Sequence, residues 1–500
     1  MSERTTRKSS APGRGIGVDG NPRQSRPSGP IRFRCGFRNT VLDVLRERPG
    51  WVEVDTDSDN WDFFWSDVSW VHENLDGAHL AEHQRINHFR NHYELTRKDH
   101  LLKNVKRQQR ALEREANAIA AREEAEANLG SKGAAAGRVQ HTAPFGGGGG
   151  TARRRGAGGG SGSGNGGAGT DGDGATGTVG EFFPFLPKSY VLPLEYNLFV
   201  EEFKRRQGGD PERNVWIMKP IGRAQGKGIF LITKLSQISD WKKGVGWSKA
   251  ESAEKGVESY IVQSYIHNPY LIGGKKFDLR IYALVTSYRP LRAYLYRGGF
   301  ARFTKTRFSM HRGALEDLYV HLTNTAVQKH NPDYDASRGA KWSLHALKQY
   351  MASHHGWRAT DQCFGMIQAL ILRALMAVEG ILIQDKHCFE LYGYDVMIDA
   401  DMRPWLIEVN ASPSLSADTP SDYALKYVML NDMVDVVDME GVRPPGEVPA
   451  KVGGFDLIYD GGRPVQRERP STYKCLLGGH NDSKHWHRVP PGRGAKVGMA

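Results

Sequence analysis

Between Gly146 and Gly180, 18 of 35 residues are glycine, with Ser, Ala and Thr filling most of the rest. Such a stretch cannot bury enough apolar surface to offset the entropy of ordering it. The chain is therefore expected to fold from pieces on either side of a linker over residues 130–180. The first thirty residues, rich in Arg, Ser, Pro and Gly, read as a disordered basic tail. Residues 31–129 read as an N-terminal α/β domain and 181–440 as a core of alternating strands and helices. Residues 441–500, rich in Gly, Pro, Arg and His, read as a mostly disordered tail from which GGFDLIYD (Gly453 to Asp460) docks back.

Within the first unit, Trp51-Val52-Glu53-Val54 alternates like a strand, and WDFFWSDVSW (Trp61 to Trp70) is expected as a buried strand. Thr96 is placed as the cap of a helix that runs to about Leu129. With 500 residues, two or three domains are expected. The net charge of +12 favours an acidic partner. Cys35, Cys363, Cys388 and Cys475 form no CxxC pair, which argues against a zinc site or a disulfide framework. No apolar run of about 18 residues suggests a membrane span.

Four stretches carry chemistry. In LYGYDVMIDADMRPWLIEVNASPSL (Leu391 to Leu415), two strands joined at Asp399–Pro404 form a hairpin. Glu408 and Asn410 are two apart and share a strand face, and the hairpin brings Asp395 across to them. Two carboxylates and an amide oxygen suit Mg²⁺ held jointly with nucleotide phosphates. Trp405, Leu406, Ile407 and Val409 give Glu408 an apolar setting, where an acid needs a partner such as a cation; a plain hairpin with polar residues on its solvent face is the competing reading. In WIMKPIGRAQGKGIFLI (Trp216 to Ile232), a strand delivers Lys219 and a glycine-rich hairpin follows, whose backbone N–H groups suit phosphate. It is neither a Walker A loop nor a dinucleotide fingerprint. Gln263 to Ile266 read as an exposed strand end offering backbone groups to an adenine edge. In KFDLR, Lys276, Asp278 and Arg280 share one strand face, either for a ligand or as a buried ion pair of Asp278 with Arg280 or Lys276. HLTN supplies Thr323 and Asn324; Arg302 and Lys341 flank it.

The order of these stretches resembles the ATP-grasp fold. The wording IMKP, QGKGI, NPYLIGGKKFDLRIYALVTS, HLTN and EVNASPSL is similar to the tubulin tyrosine ligase-like family, on its polyglutamylase branch. The resemblance implies an α/β (α+β) fold with an ATP-grasp-like core. It implies that Lys219, Gln225, Gly226, Gln263, Ser264, Tyr265, Ile266, Lys276, Phe277, Asp278, Thr323 and Asn324 contact ATP. It places Asp395, Glu408 and Asn410 on Mg²⁺, and gives Lys219, Arg280, Glu408 and Asn410 catalytic roles. Gln225, Arg302 and Lys341 receive the incoming amino acid, and Ala326 departs from the Ser or Thr often found after TN. The implied activity is an ATP-dependent ligase joining free L-glutamate to the acidic tubulin tails, with ATP and Mg²⁺ as cofactors. Implied partners are microtubules and accessory subunits, with neither nucleic acid nor membrane. The implied location is the cytoplasm and cytoskeleton, at the cilium or flagellum axoneme or the basal body. Competing readings are a polyglycylase or tyrosine ligase on the same core, a non-catalytic microtubule-binding protein, and a small-molecule ligase. Phosphoryl transfer needs positioning and charge neutralisation, and no Ser-His-Asp or Cys-His set is evident.

Overall fold

The structure is a computed structural model. It describes residues 29–136 (side chains to 122), 184–209, 213–223, 225–238, 259–331, 341–465 and 475–490. The chain forms two compact units: residues 1–102 with 185–500, and residues 103–184. This division falls early in a long helix, whereas the sequence places a domain boundary near residue 130. The stretch expected as an N-terminal domain contributes its first seventy residues to the large unit. The expected basic tail falls on residues outside the described ones, as does most of the expected linker.

The chain opens with β1 (Ile31–Cys35), α1 (Thr40–Glu47), β2 (Trp51–Glu53), β3 (Phe63–Trp65), α2 (Val68–Asn74) and β4 (Arg85–Ile86). These four strands make a parallel sheet in the order β2-β1-β3-β4. Only three residues of WDFFWSDVSW are strand, because Asp67 accepts from Ser69 N–H and starts α2. Next come α3 (Tyr93–Thr96) and α4 (Lys98–Ala136). Thr96 does not cap the long helix: its hydroxyl donates back to His92 O, closing α3 instead.

A small antiparallel sheet follows, from β5 (Ser189–Leu192), α5 (Tyr196–Gln207), β6 (Trp216–Pro220), β7 (Phe230–Ile232) and β8 (Tyr260–Ser264), in the order β5-β8-β6-β7. Phe199 and Phe203 of α5 pack on Trp216, Met218 and Val262 of this sheet. The large sheet takes β9 (Leu271–Ile272), β10 (Lys275–Tyr288), β11 (Leu291–Phe303), β12 (Lys341–Ser343), β13 (Glu390–Ile398), β14 (Pro404–Asn410), β15 (Lys451–Val452), β16 (Phe455–Asp460) and β17 (Arg463–Pro464). Its order is β14-β13-β10-β11-β16-β15, and the pairings described in it are antiparallel. β16 falls in the segment expected to be mostly disordered. Its alternating FDLIYD docks on β11, as expected for GGFDLIYD, whereas the order of residues 475–490 departs from the expected disorder.

Two helices cover the large sheet. Leu344–Glu379 breaks at Gly356, whose φ is 79°. It is long and apolar enough to cross a membrane, which the sequence reading had not flagged. Its Leu347, Phe364, Ile367 and Leu370 are fully buried in the fold, as suits a core helix. Pro420–Val437 packs against α1 in one core with Phe33, Tyr282 and Phe455. Arg48, beyond α1, donates to Asp435 at 2.8 Å and to Glu440 at 2.6 Å, tying the N-terminal sheet to this helix.

Candidate functional site: a cleft between two sheets

The small sheet and the large sheet supply the walls of a cleft enclosing about 760 Å³ of space, open mouth included. From the small sheet come Ile217, Lys219, Gln263 and Ser264. From the large one come Lys276, Asp278, Asp395, Met397, Ile407 and Glu408. Of the residues assigned to nucleotide from sequence, Gln225, Gly226, Tyr265, Ile266, Thr323 and Asn324 also line it. Phe277, Arg280, Arg302, Lys341 and Asn410 do not.

Two ammonium groups dominate the cleft. Lys219 lies on a wholly buried strand, and its Nζ donates to Gln263 Oε1 at 2.7 Å. Lys276 Nζ donates to the Tyr265 hydroxyl and to His321 O, both at 2.9 Å. Among the described residues, neither makes an ion pair. Burial pushes Lys219 down to about 8 and Lys276 down to about 7. Buried cations without a carboxylate partner are costly, and a polyphosphate would meet that demand. His321 fixes the second of them. Its Nε2 faces Ala314 O at 2.9 Å, which can only accept, so Nε2 carries the proton. Nδ1 then accepts from the Tyr265 O–H at 2.7 Å, and the Tyr265 oxygen accepts from Lys276. Burial holds His321 near 4, so this imidazole is neutral.

The glycine-rich turn joins β6 to β7. Gln225 (φ 61°) and Gly226 (φ 82°) adopt left-handed backbone. A Cβ on Gly226 would lie 2.8 Å from Val327 Cγ2 and 3.4 Å from Asn324 Oδ1, so the turn packs directly on the TN segment. The strand end Gln263–Ile266 differs from its expected exposed form. Gln263 and Tyr265 are buried, Ser264 N–H donates to Lys188 O, and Tyr265 N–H donates to Val215 O. These donors belong to the fold. The Ile266 N–H, which makes no bond to any described residue, faces no such claim.

Strand register assembles the acids. Asp395 pairs with Glu408 across β13 and β14, and Gly393 pairs with Asn410, with an irregularity after Asp395. Asp395 accepts from Arg280 at 2.6 and 3.2 Å and meets Arg302 Nη2 at 2.8 Å. Arg302 also forks onto Asp278 at 2.9 and 2.5 Å. The alternative read in KFDLR, an ion pair within the strand, gives way to pairs across strands: Asp278 with Arg302, and Arg280 with Asp395. Burial alone would raise the Asp395 carboxyl. Arg280 and Arg302 more than offset this and hold it well below the usual range. Lys341 is next to Arg302 in the β11–β12 register and bonds Asp422 at 2.9 Å and Asp418 at 3.1 Å.

The oxygen set suits a hard cation. A carboxylate offers four lone-pair directions; on Asp395 three are used. Among the described residues, the ion-pair partner of Glu408 is Lys98, at 3.7 Å. Asn410 donates its amide N–H to Gly393 O at 3.3 Å, leaving its oxygen unused among the described contacts. Among the described residues, no cluster of three or more His, Cys, Asp or Glu side chains could hold a metal alone. Two carboxylates and one amide fall short of six ligands, which fits an ion completed by phosphate oxygens and water.

Lys98 and Arg223, which also line the cleft, were missed from sequence. Only the fold shows the start of α4 beside Glu408, so no local signal could have found Lys98.

A cleft between two antiparallel sheets, walled by Lys219 on one side and by Lys276 and a carboxylate hairpin on the other, defines the ATP-grasp class. The chain belongs to the tubulin-tyrosine ligase family, whose model matches residues 77–445. It is 44% identical over 474 residues to "Probable tubulin polyglutamylase TTLL9" of Bos taurus, covering 90% of this chain and 87% of that one. It is 42% identical to "Probable tubulin polyglutamylase ttll-9" of Caenorhabditis elegans, over 87% and 86% of the two chains. "Probable alpha-tubulin polyglutamylase Ttll1" of Tetrahymena thermophila is 36% identical, over 86% of this chain and 93% of its own.

Proposed function

We propose that this chain is an ATP-dependent tubulin polyglutamylase. The observation that carries the reading is a pair of buried lysines that make no ion pair among the described residues, Lys219 from the small sheet and Lys276 from the large one, lining the same cleft as Asp395 and Glu408. Full-length similarity to named polyglutamylases supports the substrate. ATP lies with its phosphates against Lys219, Lys276, Lys98 and the Gln225–Gly226 turn, and its adenine edge against the Ile266 N–H. Gln263, Ser264, Tyr265, Phe277, Asp278, Thr323 and Asn324 form or support its surroundings. Asp395, Glu408 and Asn410 hold Mg²⁺. When bound, the ion neutralises charge on the transferring phosphoryl group.

A carboxylate oxygen of the acceptor glutamate attacks the γ-phosphorus and ADP leaves, giving an acyl phosphate. The amine of free glutamate then attacks the acyl carbon. The amide bond forms, inorganic phosphate leaves, and the amine loses a proton. The buried cations contribute by meeting negative charge as it shifts onto the leaving phosphate. Arg280 keeps Asp395 ionised and aimed. Arg302 and Lys341, adjacent in register and already holding carboxylates, receive those of the incoming glutamate. The +12 charge draws the chain to acidic tubulin tails. A place at the cilium or flagellum, with accessory subunits, belongs to the same reading.

Mass spectrometry of tubulin tails after incubation with ATP, Mg²⁺ and glutamate, glycine or tyrosine tests it. Additions of glutamate alone are expected, and glycine or tyrosine additions would overturn the assignment. Glu408→Gln is expected to remain folded and to lose ~10²-fold or more of turnover, the scale of a key electrostatic contact. A folded variant with near-normal turnover removes Glu408 from the metal site.

A further inference from the structure

A second pocket, of about 510 Å³, lies among Arg85, Arg292, Lys386 and Arg443, with Glu447 the one carboxylate among its lining residues. It is separate from the ATP-grasp cleft. Arg292 begins β11 and Lys386 precedes β13, whereas Arg302 and Asp395, which bound the catalytic network, lie at or toward the other ends of those strands. Tyr294, Phe389 and Val436 also line it.

The cations keep donors in hand. Arg292 gives its Nε to Asp460 at 3.0 Å, and neither Nη has a partner among the described residues. Arg443 gives Nη2 to Val436 O at 2.7 Å, with Asp438 3.7 Å from its Nε. Lys386 pairs with Glu82. Arg85 makes no ion pair among the described residues. Its Nη1 donates to two backbone carbonyls, Glu82 O and Gln84 O, both at 2.8 Å, and burial lowers its pKa. Asp460, Asp438 and Glu82 are not among the lining residues. A second observation is independent of charge: Thr286 Oγ1, in the same wall, is buried and makes no hydrogen bond to any described residue. A buried hydroxyl without a partner is rare and marks a missing polar neighbour.

We infer that this pocket binds a compact multivalent oxyanion of the phosphate class. Three arginines offer planar forks suited to oxyanions. Their convergence with Lys386 on one pocket whose lining holds a single carboxylate, Glu447, favours a single highly charged group over an extended acidic peptide. The hydroxyl of Thr286 supplies the remaining donor.

The test uses the full chain with its ATP cleft saturated by a non-hydrolysable ATP analogue and excess Mg²⁺. Inorganic tripolyphosphate is then titrated by calorimetry. Binding at one site per chain is expected, weakened at least tenfold by Arg292→Gln and by Arg85→Gln, and severalfold by Thr286→Val. Ligase turnover of the folded variants stays at the wild-type level. Arg443→Gln and Thr286→Val keep the test decisive if Arg85→Gln fails to fold. Absence of binding once the ATP cleft is filled overturns the inference, as does binding unaffected by every folded variant. Hexaglutamate, run in parallel, is expected to bind far more weakly. If it binds as tightly, with the same loss in the variants, the pocket takes carboxylates and the phosphate assignment falls.

Discussion

Lys219 and Lys276 keep their ammonium groups where burial disfavours the charge, near 8 and near 7 against an ordinary 10.5. Above about pH 7 the unfolded chain therefore binds more protons than the folded one. The stability of the nucleotide-free protein should rise with pH from about 7 towards 10.5, since the folded state is spared two costly charges. Phosphates in the cleft reverse the preference. Nucleotide binding at pH 8 is expected to take up protons, one at most per lysine, and to weaken as pH rises further. Calorimetry at pH 8 in two buffers of different ionisation enthalpy measures the uptake directly; equal apparent enthalpies would show that these lysines do not face the phosphates. The same residues show what could be read beforehand. A lysine in an apolar strand followed by glycines is visible in sequence. That Asp278, Arg302, Asp395 and Arg280 form one network is not, because it depends on three strands lying side by side.

The glycine-rich turn between β6 and β7 is fixed by conformation and by space. Ala at Gly226 would carry a left-handed backbone strain of about 1–2 kcal/mol and press its Cβ on Val327 at 2.8 Å. Gly226→Ala is expected to raise the KM for ATP at least fivefold while the glutamate KM holds. An unchanged ATP KM in folded protein would separate this turn from the phosphates. Among elements, the β13–β14 hairpin was the most legible, since alternating apolar residues flank a tight Asp-rich turn. β16 was legible as a segment that docks back, but not its partner: its six alternating residues stand among Gly, Pro and Arg, and only the fold shows that β11 is the strand they meet.

At the scale of the molecule, the composition of the Gly-rich run, 18 glycines in 35 residues, is expected to add length without core. Deleting residues 146–178 should leave melting and nucleotide binding nearly unchanged, because closure entropy varies only slowly with loop length. A deletion that stays soluble yet loses nucleotide binding would give that segment a direct part in the site. The position of β16 has a consequence for how the protein is made. β11 leaves the ribosome about 150 residues before the strand that covers its edge. At ~5–20 residues per second, that is roughly 8–30 s of synthesis. Throughout that interval the most buried sheet of the molecule has an open flank of unpaired backbone, a template for wrong partners. The newborn chain is most exposed to misassembly just before β16 arrives, so a cell short of chaperones should lose this protein during translation rather than after it.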